Sequence, residues 1–206
     1  MEFIKDPTAI EDTSMEIIES CLPMLKQLPE GERQIIKRIV HTTGDPDIAE
    51  LIKIHPDAVE AGLEAFRAGR PVFTDVQMLQ SGINPIRLAQ LGVETMCLIK
   101  DPEVVAEAKR TGRTRAMIAI AKAAPRLDGG IIAIGNAPTA LFELCAMIRA
   151  GVLKPALVVG TPVGFVGAKE SKEMLMETPV PYITVSGTRG GSTIAVAALN
   201  ALMKMV

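Results

Sequence analysis

Residues 130–141 run Gly130-Ile131-Ile132-Ala133-Ile134-Gly135-Asn136-Ala137-Pro138-Thr139-Ala140-Leu141. The short apolar run at the front predicts a strand buried on both faces, and the small and polar residues behind it predict a tight turn into a helix. The same texture recurs on either side. Strands are predicted at residues 71–74, 95–99, 130–134, 156–159 and 182–185. Helices are predicted near residues 103–111, 114–124, 137–150, 168–177 and 192–204. Strand alternating with helix implies right-handed βαβ units and a parallel sheet covered on both sides. The expected architecture is a three-layer, flavodoxin-like α/β domain with a mostly parallel five-stranded sheet.

Upstream of Arg70 the texture is helical and charged, with apolar residues at helical spacing over residues 9–22, 30–40, 47–54 and 56–68. Residues 1–69 are therefore expected to be a helical part packed on an α/β core of residues 70–206, the whole forming a single domain. The chain has 206 residues, a size suited to one domain. At 48% hydrophobic and 22% charged residues it has globular rather than disordered composition. Aromatics amount to 3%, which leaves no stacking platform for single-stranded nucleic acid. A net charge of −2 argues against coating DNA or an anionic membrane. Three cysteines without zinc or disulfide spacing suit a reducing cytoplasm. The N-terminal run is too acidic for a signal peptide, and the apolar stretches at residues 131–148 and 152–166 are too interrupted to span a bilayer.

In an open α/β sheet a ligand lies beyond the carboxyl ends of the strands. Thr74-Asp75, Gly135-Asn136-Ala137-Pro138-Thr139, Gly160-Thr161-Pro162-Val163-Gly164 and Gly187-Thr188-Arg189-Gly190-Gly191-Ser192 all stand there. Three of these are small-residue turns into helices, so backbone N–H groups and positive helix ends would converge on one cleft and favour carboxylates or phosphates. Neither a phosphate-loop nor a dinucleotide fingerprint is in register, and a nucleotide-binding regulator rests on fold analogy alone. Lys109, Arg110, Arg113 and Arg115 form a basic cluster, and Arg115 lies just inside a predicted helix start, where an anionic ligand explains a cation better than the helix does. Arg189, in a glycine-rich loop, is placed for bidentate carboxylate binding. Of the two histidines, His55 precedes a proline at a helix start and reads as a capping or surface residue. His41 opens the polar turn His41-Thr42-Thr43-Gly44-Asp45. On residue type alone it stays open between a turn residue and a proton donor. No triad and no metal-ligating spacing surrounds it.

Taken together these strings resemble one family, the precorrin-8X methylmutases, including the cobalt-precorrin-8 methylmutases. The resemblance runs from about Asp6 to Leu202. It is carried by Val40-His41-Thr42-Thr43-Gly44-Asp45, Thr74-Asp75-Val76-Gln77-Met78, Gly112-Arg113-Thr114-Arg115, the Gly135–Leu141 string, Pro162-Val163-Gly164-Phe165-Val166-Gly167-Ala168 and Ala198-Leu199-Asn200-Ala201-Leu202. It implies a flavodoxin-like fold, a homodimer, no redox cofactor and an isomerase reaction in which a methyl group moves from C-11 to C-12 of a corrin precursor. The family histidine falls on His41, which would protonate or hydrogen-bond the macrocycle. Ser14, Thr42, Thr43, Asp75, Arg115, Asn136, Thr139 and Arg189 match substrate-contacting positions, Asp75 either orienting His41 or meeting a ring-edge group. The chain departs from the family pattern at Glu11 and Met15, where many members carry aromatics. The implied substrate is a polycarboxylate tetrapyrrole, a flat apolar ring fringed by acids. A corrinoid carrier that performs no chemistry is the alternative of another class.

Overall fold

Apolar residues that alternate between two cores set the sheet. Ile131 and Ala133 point to one side and Ile132 and Ile134 to the other; Val159 and Val158 divide in the same way. The computed structural model of the chain describes residues 5–206. The strands are β1 (Ile52–Ile54), β2 (Val72–Thr74), β3 (Thr95–Met96), β4 (Ile131–Ile134), β5 (Leu157–Gly160) and β6 (Tyr182–Val185). They form one six-stranded sheet in the order β1-β6-β5-β4-β2-β3. The five strands β2 to β6 run parallel in the flavodoxin-like order, and β1 pairs antiparallel with β6 at the edge.

Helices α1 (Pro7–Cys21), α2 (Glu30–Thr43), α3 (Ala58–Arg67), α4 (Gln77–Gly82) and α10 (Ser192–Met205) contribute to the core on one face. Helices α6 (Pro102–Thr111), α7 (Arg115–Ala123), α8 (Pro138–Arg149) and α9 (Ala168–Met176) pack on the other. The short α5 (Pro85–Gln90) follows α4. No helix among the described residues is long and apolar enough to cross a membrane.

Two expectations need correction. The sheet has six strands rather than five, because residues 47–54 do not form a helix. A 3₁₀ segment (Pro46–Leu51) leads into β1, whose Ile52 is buried while Lys53 faces solvent. Three residues of alternation are too few to stand out against a helical spacing; the pairing with β6 decides the matter. The N-terminal part is consequently not all helical, and its strand joins the sheet of the remainder. Its first four residues lie outside the described part. The second correction is to β3, which ends at Met96 rather than residue 99.

Candidate active site

Helix α2 carries His41, the histidine singled out from the sequence, in its last turn. Glu30 and Glu32 lie in its first turn, where acids complement the helix dipole, and Ile35, Ile36, Ile39 and Val40 face the core. Gly44 ends it in the left-handed region at φ 64°, a conformation open to glycine without strain. Arg38 and His41, one turn apart, are left on the helix's outer side, and both line a cleft of about 570 Å³.

Helix α10 supplies the floor of this cleft through Thr193, Val196, Ala197 and Asn200. The opposite wall is Met78 and Gly82 of α4 with Asn84 and Arg87 of the next turn. A Cβ on Gly82 would stand 2.7 Å from a methyl of Val196, so only glycine lets α4 approach α10 this closely. Asn200 fastens the wall: its Nδ2 donates to the Gly82 carbonyl at 3.1 Å, and its Oδ1 accepts from the Asn84 N–H at 3.0 Å. The Asn84 side chain in turn caps α5 by accepting from the N–H groups of Ile86 and Arg87. Arg87 is thereby held at the rim.

The charge of the cleft is mostly positive. Arg38, Arg87 and Lys204 line it with a single acid, Glu11 of α1. Arg38 Nη2 donates to Glu11 Oε1 at 2.6 Å and Lys204 Nζ donates to the same oxygen at 3.0 Å. Hydrogen bonding to Arg38, then to Lys204, holds the Glu11 carboxyl down from 4.5 to about 2. A cavity of this size, with Val196, Ala197 and Met78 beside Thr193 and Asn200, a cationic rim and one imidazole, suits an anionic ligand with both apolar and polar surface.

The residues singled out from the sequence are distributed unevenly. His41 and Thr42 line the cleft. Thr43 turns its hydroxyl back to the carbonyls of Ile39 and Val40, and Ser14 turns its own to Ile10. Arg189 is paired with Asp45 at 2.6 Å, tying the β6–α10 loop to the turn that follows His41. Beneath that loop the fully buried Lys172 donates to the Arg189 carbonyl at 2.6 Å. Burial pushes the Lys172 ammonium down from 10.5 to about 8.

Arg115, Asn136 and Thr139 do not line the His41 cleft. The Thr139 hydroxyl lies 2.9 Å from that of Thr114, which caps α7, so the starts of α7 and α8 adjoin. Arg113 is engaged by Glu143 at 2.6 Å. Asp75 is fully buried, and its carboxylate accepts from the N–H groups of Gly135 at 3.1 Å and of Asn136 and Ala137 at 2.8 Å each. Burial pushes its carboxyl pKa up, and the three N–H donors oppose that. The carboxylate is thus turned inward to hold the β4–α8 turn, and neither His41 nor the cleft is its partner. Arg38, Arg87, Asn200 and Lys204 were not among the residues picked from the sequence. Two local signals could have found two of them: the spacing of Arg38 three residues before His41, and the place of Asn200 in the Ala198-Leu199-Asn200-Ala201-Leu202 string.

A family model described as precorrin-8X methylmutase matches residues 9–205. A cobalt-precorrin-8 methylmutase of Priestia megaterium is 47% identical over 196 residues, covering 95% of this chain and 87% of that protein. A precorrin-8X methylmutase of a Sinorhizobium species is 40% identical, with 98% and 97% covered. Among solved structures, a precorrin-8x methyl mutase from Thermus thermophilus superposes with a TM-score of 0.86 at 43% identity, covering 96% of this chain and 95% of its own. With the whole fold and nearly the whole sequence shared, the chain belongs to the precorrin-8X methylmutase family, whose members are isomerases of cobalamin biosynthesis.

Proposed function

We propose that this protein moves a methyl group from C-11 to C-12 of precorrin-8X or cobalt-precorrin-8, giving hydrogenobyrinic or cobyrinic acid, with His41 as the general acid. The observation that carries the reading is the placement of an exposed imidazole in a cleft that combines a floor of small apolar and polar side chains with a cationic rim. Arg38, Arg87 and Lys204 would bind ring carboxylates, while Val196, Ala197 and Met78 would pack the ring face. Arg115, Asn136 and Thr139, at the carboxyl edge of the sheet, would meet carboxylates that a wide macrocycle extends beyond the cleft.

His41 would donate a proton or a strong hydrogen bond to the conjugated ring and draw electron density from the bond between C-11 and its methyl. A suprafacial [1,5] shift breaks the C-11 bond as the C-12 bond forms, so no covalent intermediate on the enzyme is needed. General acid catalysis contributes about 10²–10⁴-fold, and fixing one ring tautomer and pucker supplies the remainder. The protein would work as a single-domain homodimer in the cytoplasm, independent of nucleic acid. Ile86, Phe165 and Val166, all well exposed, suit burial by a second copy.

The deciding experiment follows the visible spectrum of metal-free and cobalt-loaded substrate with wild type and His41→Ala. The variant should bind product within a few-fold of wild type and lose at least about 10²-fold in turnover. Near wild-type isomerisation would remove His41 from the mechanism, and binding without any conversion by wild type would point to a carrier.

A further inference from the structure

Glu11 stands in a site that a ligand carboxylate would otherwise occupy. Its Oε1 takes both cations, Arg38 at 2.6 Å and Lys204 at 3.0 Å, and all three side chains face the cleft. The carboxylate is 40% exposed, so an incoming anion can reach the pair from solvent. Helix α1, which carries Glu11, is lightly seated. Ile18 is its one buried residue among those described, and Glu19 adds an ion pair to Lys37 at 3.3 Å.

We infer that Arg38 and Lys204 form a carboxylate subsite and that Glu11 is its resident occupant, replaced by a peripheral carboxylate when a polycarboxylate ligand binds. The exchange keeps the two cations paired on the same N–H groups, because one carboxylate succeeds another there, while Glu11 swings out to solvent. Until then Glu11 keeps two cations paired and oriented. It also sets a threshold. A ligand whose arm at this position is an amide offers a weaker acceptor than Glu11 and fails to displace it, so the subsite selects for the free acid. The substrate's identity rests on the methylmutase reading, whereas the subsite itself rests only on the geometry.

The test is calorimetric titration of wild type, Glu11→Gln and Glu11→Ala with two probes: cobyrinic acid and benzenehexacarboxylate. Removing the resident carboxylate should tighten both probes about fivefold, the scale of one partly exposed ion pair no longer competing. Adding Arg38→Gln to either variant should abolish the gain. Unchanged or weaker binding of both probes by folded Glu11 variants would overturn the proposal and leave Glu11 a fastener of α1. A gain for benzenehexacarboxylate with no binding of cobyrinic acid by any form would uphold the subsite and defeat the methylmutase reading. Binding of both probes equally by all forms would defeat the subsite and leave the methylmutase reading to stand or fall on conversion of the substrate by wild type.

Discussion

Two acids occupy positions where this fold would receive an anion, and they do so in opposite ways. Asp75 lies at the carboxyl end of β2, where the strand order reverses between β2 and β4, the customary ligand crevice of open α/β sheets. Its donors are three backbone N–H groups on a single turn, and no water reaches it. Glu11 lies in the cleft beside α10, its donors are two flexible cationic side chains, and solvent reaches it. Buried backbone donors make Asp75 a permanent part of the fold; long side-chain donors at a solvent-accessible edge make Glu11 replaceable. The comparison explains why the cleft is not at the crevice. At the crevice an acid of the chain itself takes the backbone donors of the β4–α8 turn, and the cleft beside His41 is lined from α2 and α10 instead.

The largest effect should follow from breaking the permanent member. Asp75→Ala leaves three N–H groups without their acceptor in a buried turn, each worth roughly 1–3 kcal/mol. The expected loss of stability is about 3–5 kcal/mol in urea denaturation, with the β4–α8 turn disordered. If the variant instead keeps wild-type stability and takes up phosphate at that turn, the two acids are alike and the distinction fails.

How far the sequence disclosed this arrangement follows from the range of each signal. The strands of the parallel sheet are apolar runs bounded by glycine, local features that a window can read. β1 escaped because three residues cannot show a period, and its partner in β6 is remote in sequence. His41 was legible as a histidine in a polar turn. The cleft around it was not, since its walls come from α1, α2, α4, α5 and α10, and their convergence is a property of packing. Asp75 and Arg189 were legible as charged residues at strand ends, but not the direction in which their side chains turn. Arg189 is held by Asp45, separated from it by 144 positions, and Asp75 by a turn some 60 positions on.

Lys172 belongs with Asp75 in kind, a fully buried charge serving one loop, and gives a prediction of intermediate size. Its pKa of about 8 in the folded chain lies below the 10.5 of the free side chain. Between those values the unfolded chain holds more protons than the folded one, so this group makes stability rise with pH from about 8 to 10.5. Below pH 8 the folded chain bears the whole cost of a buried ammonium. Lys172→Met should flatten the alkaline rise in denaturant melts. It should also reduce turnover, because the Arg189 carbonyl loses its donor and the loop tied through Asp45 to the His41 turn loosens. A pH profile of stability identical to wild type would show that Lys172 holds its proton equally well in the folded and unfolded chains, and that burial does not depress it.

The smallest effect concerns the replaceable member. Glu11 titrates at 4.5 when free and at about 2 in the folded chain. The unfolded chain therefore takes up the proton first as the solution is acidified, and the stability contributed by Glu11 is complete above pH 4.5 and lost as the pH falls toward 2. Because the group is partly exposed and its partners are screened by water, the contribution at pH 6 should not exceed about 1 kcal/mol. Melts of wild type and Glu11→Gln should thus differ slightly at pH 6 and converge by pH 2, and added salt should shrink the difference at pH 6. A difference of several kcal/mol that survives high salt would place Glu11 beside Asp75 as a structural acid. An exchange of carboxylates in the cleft would then be too costly for a ligand to drive.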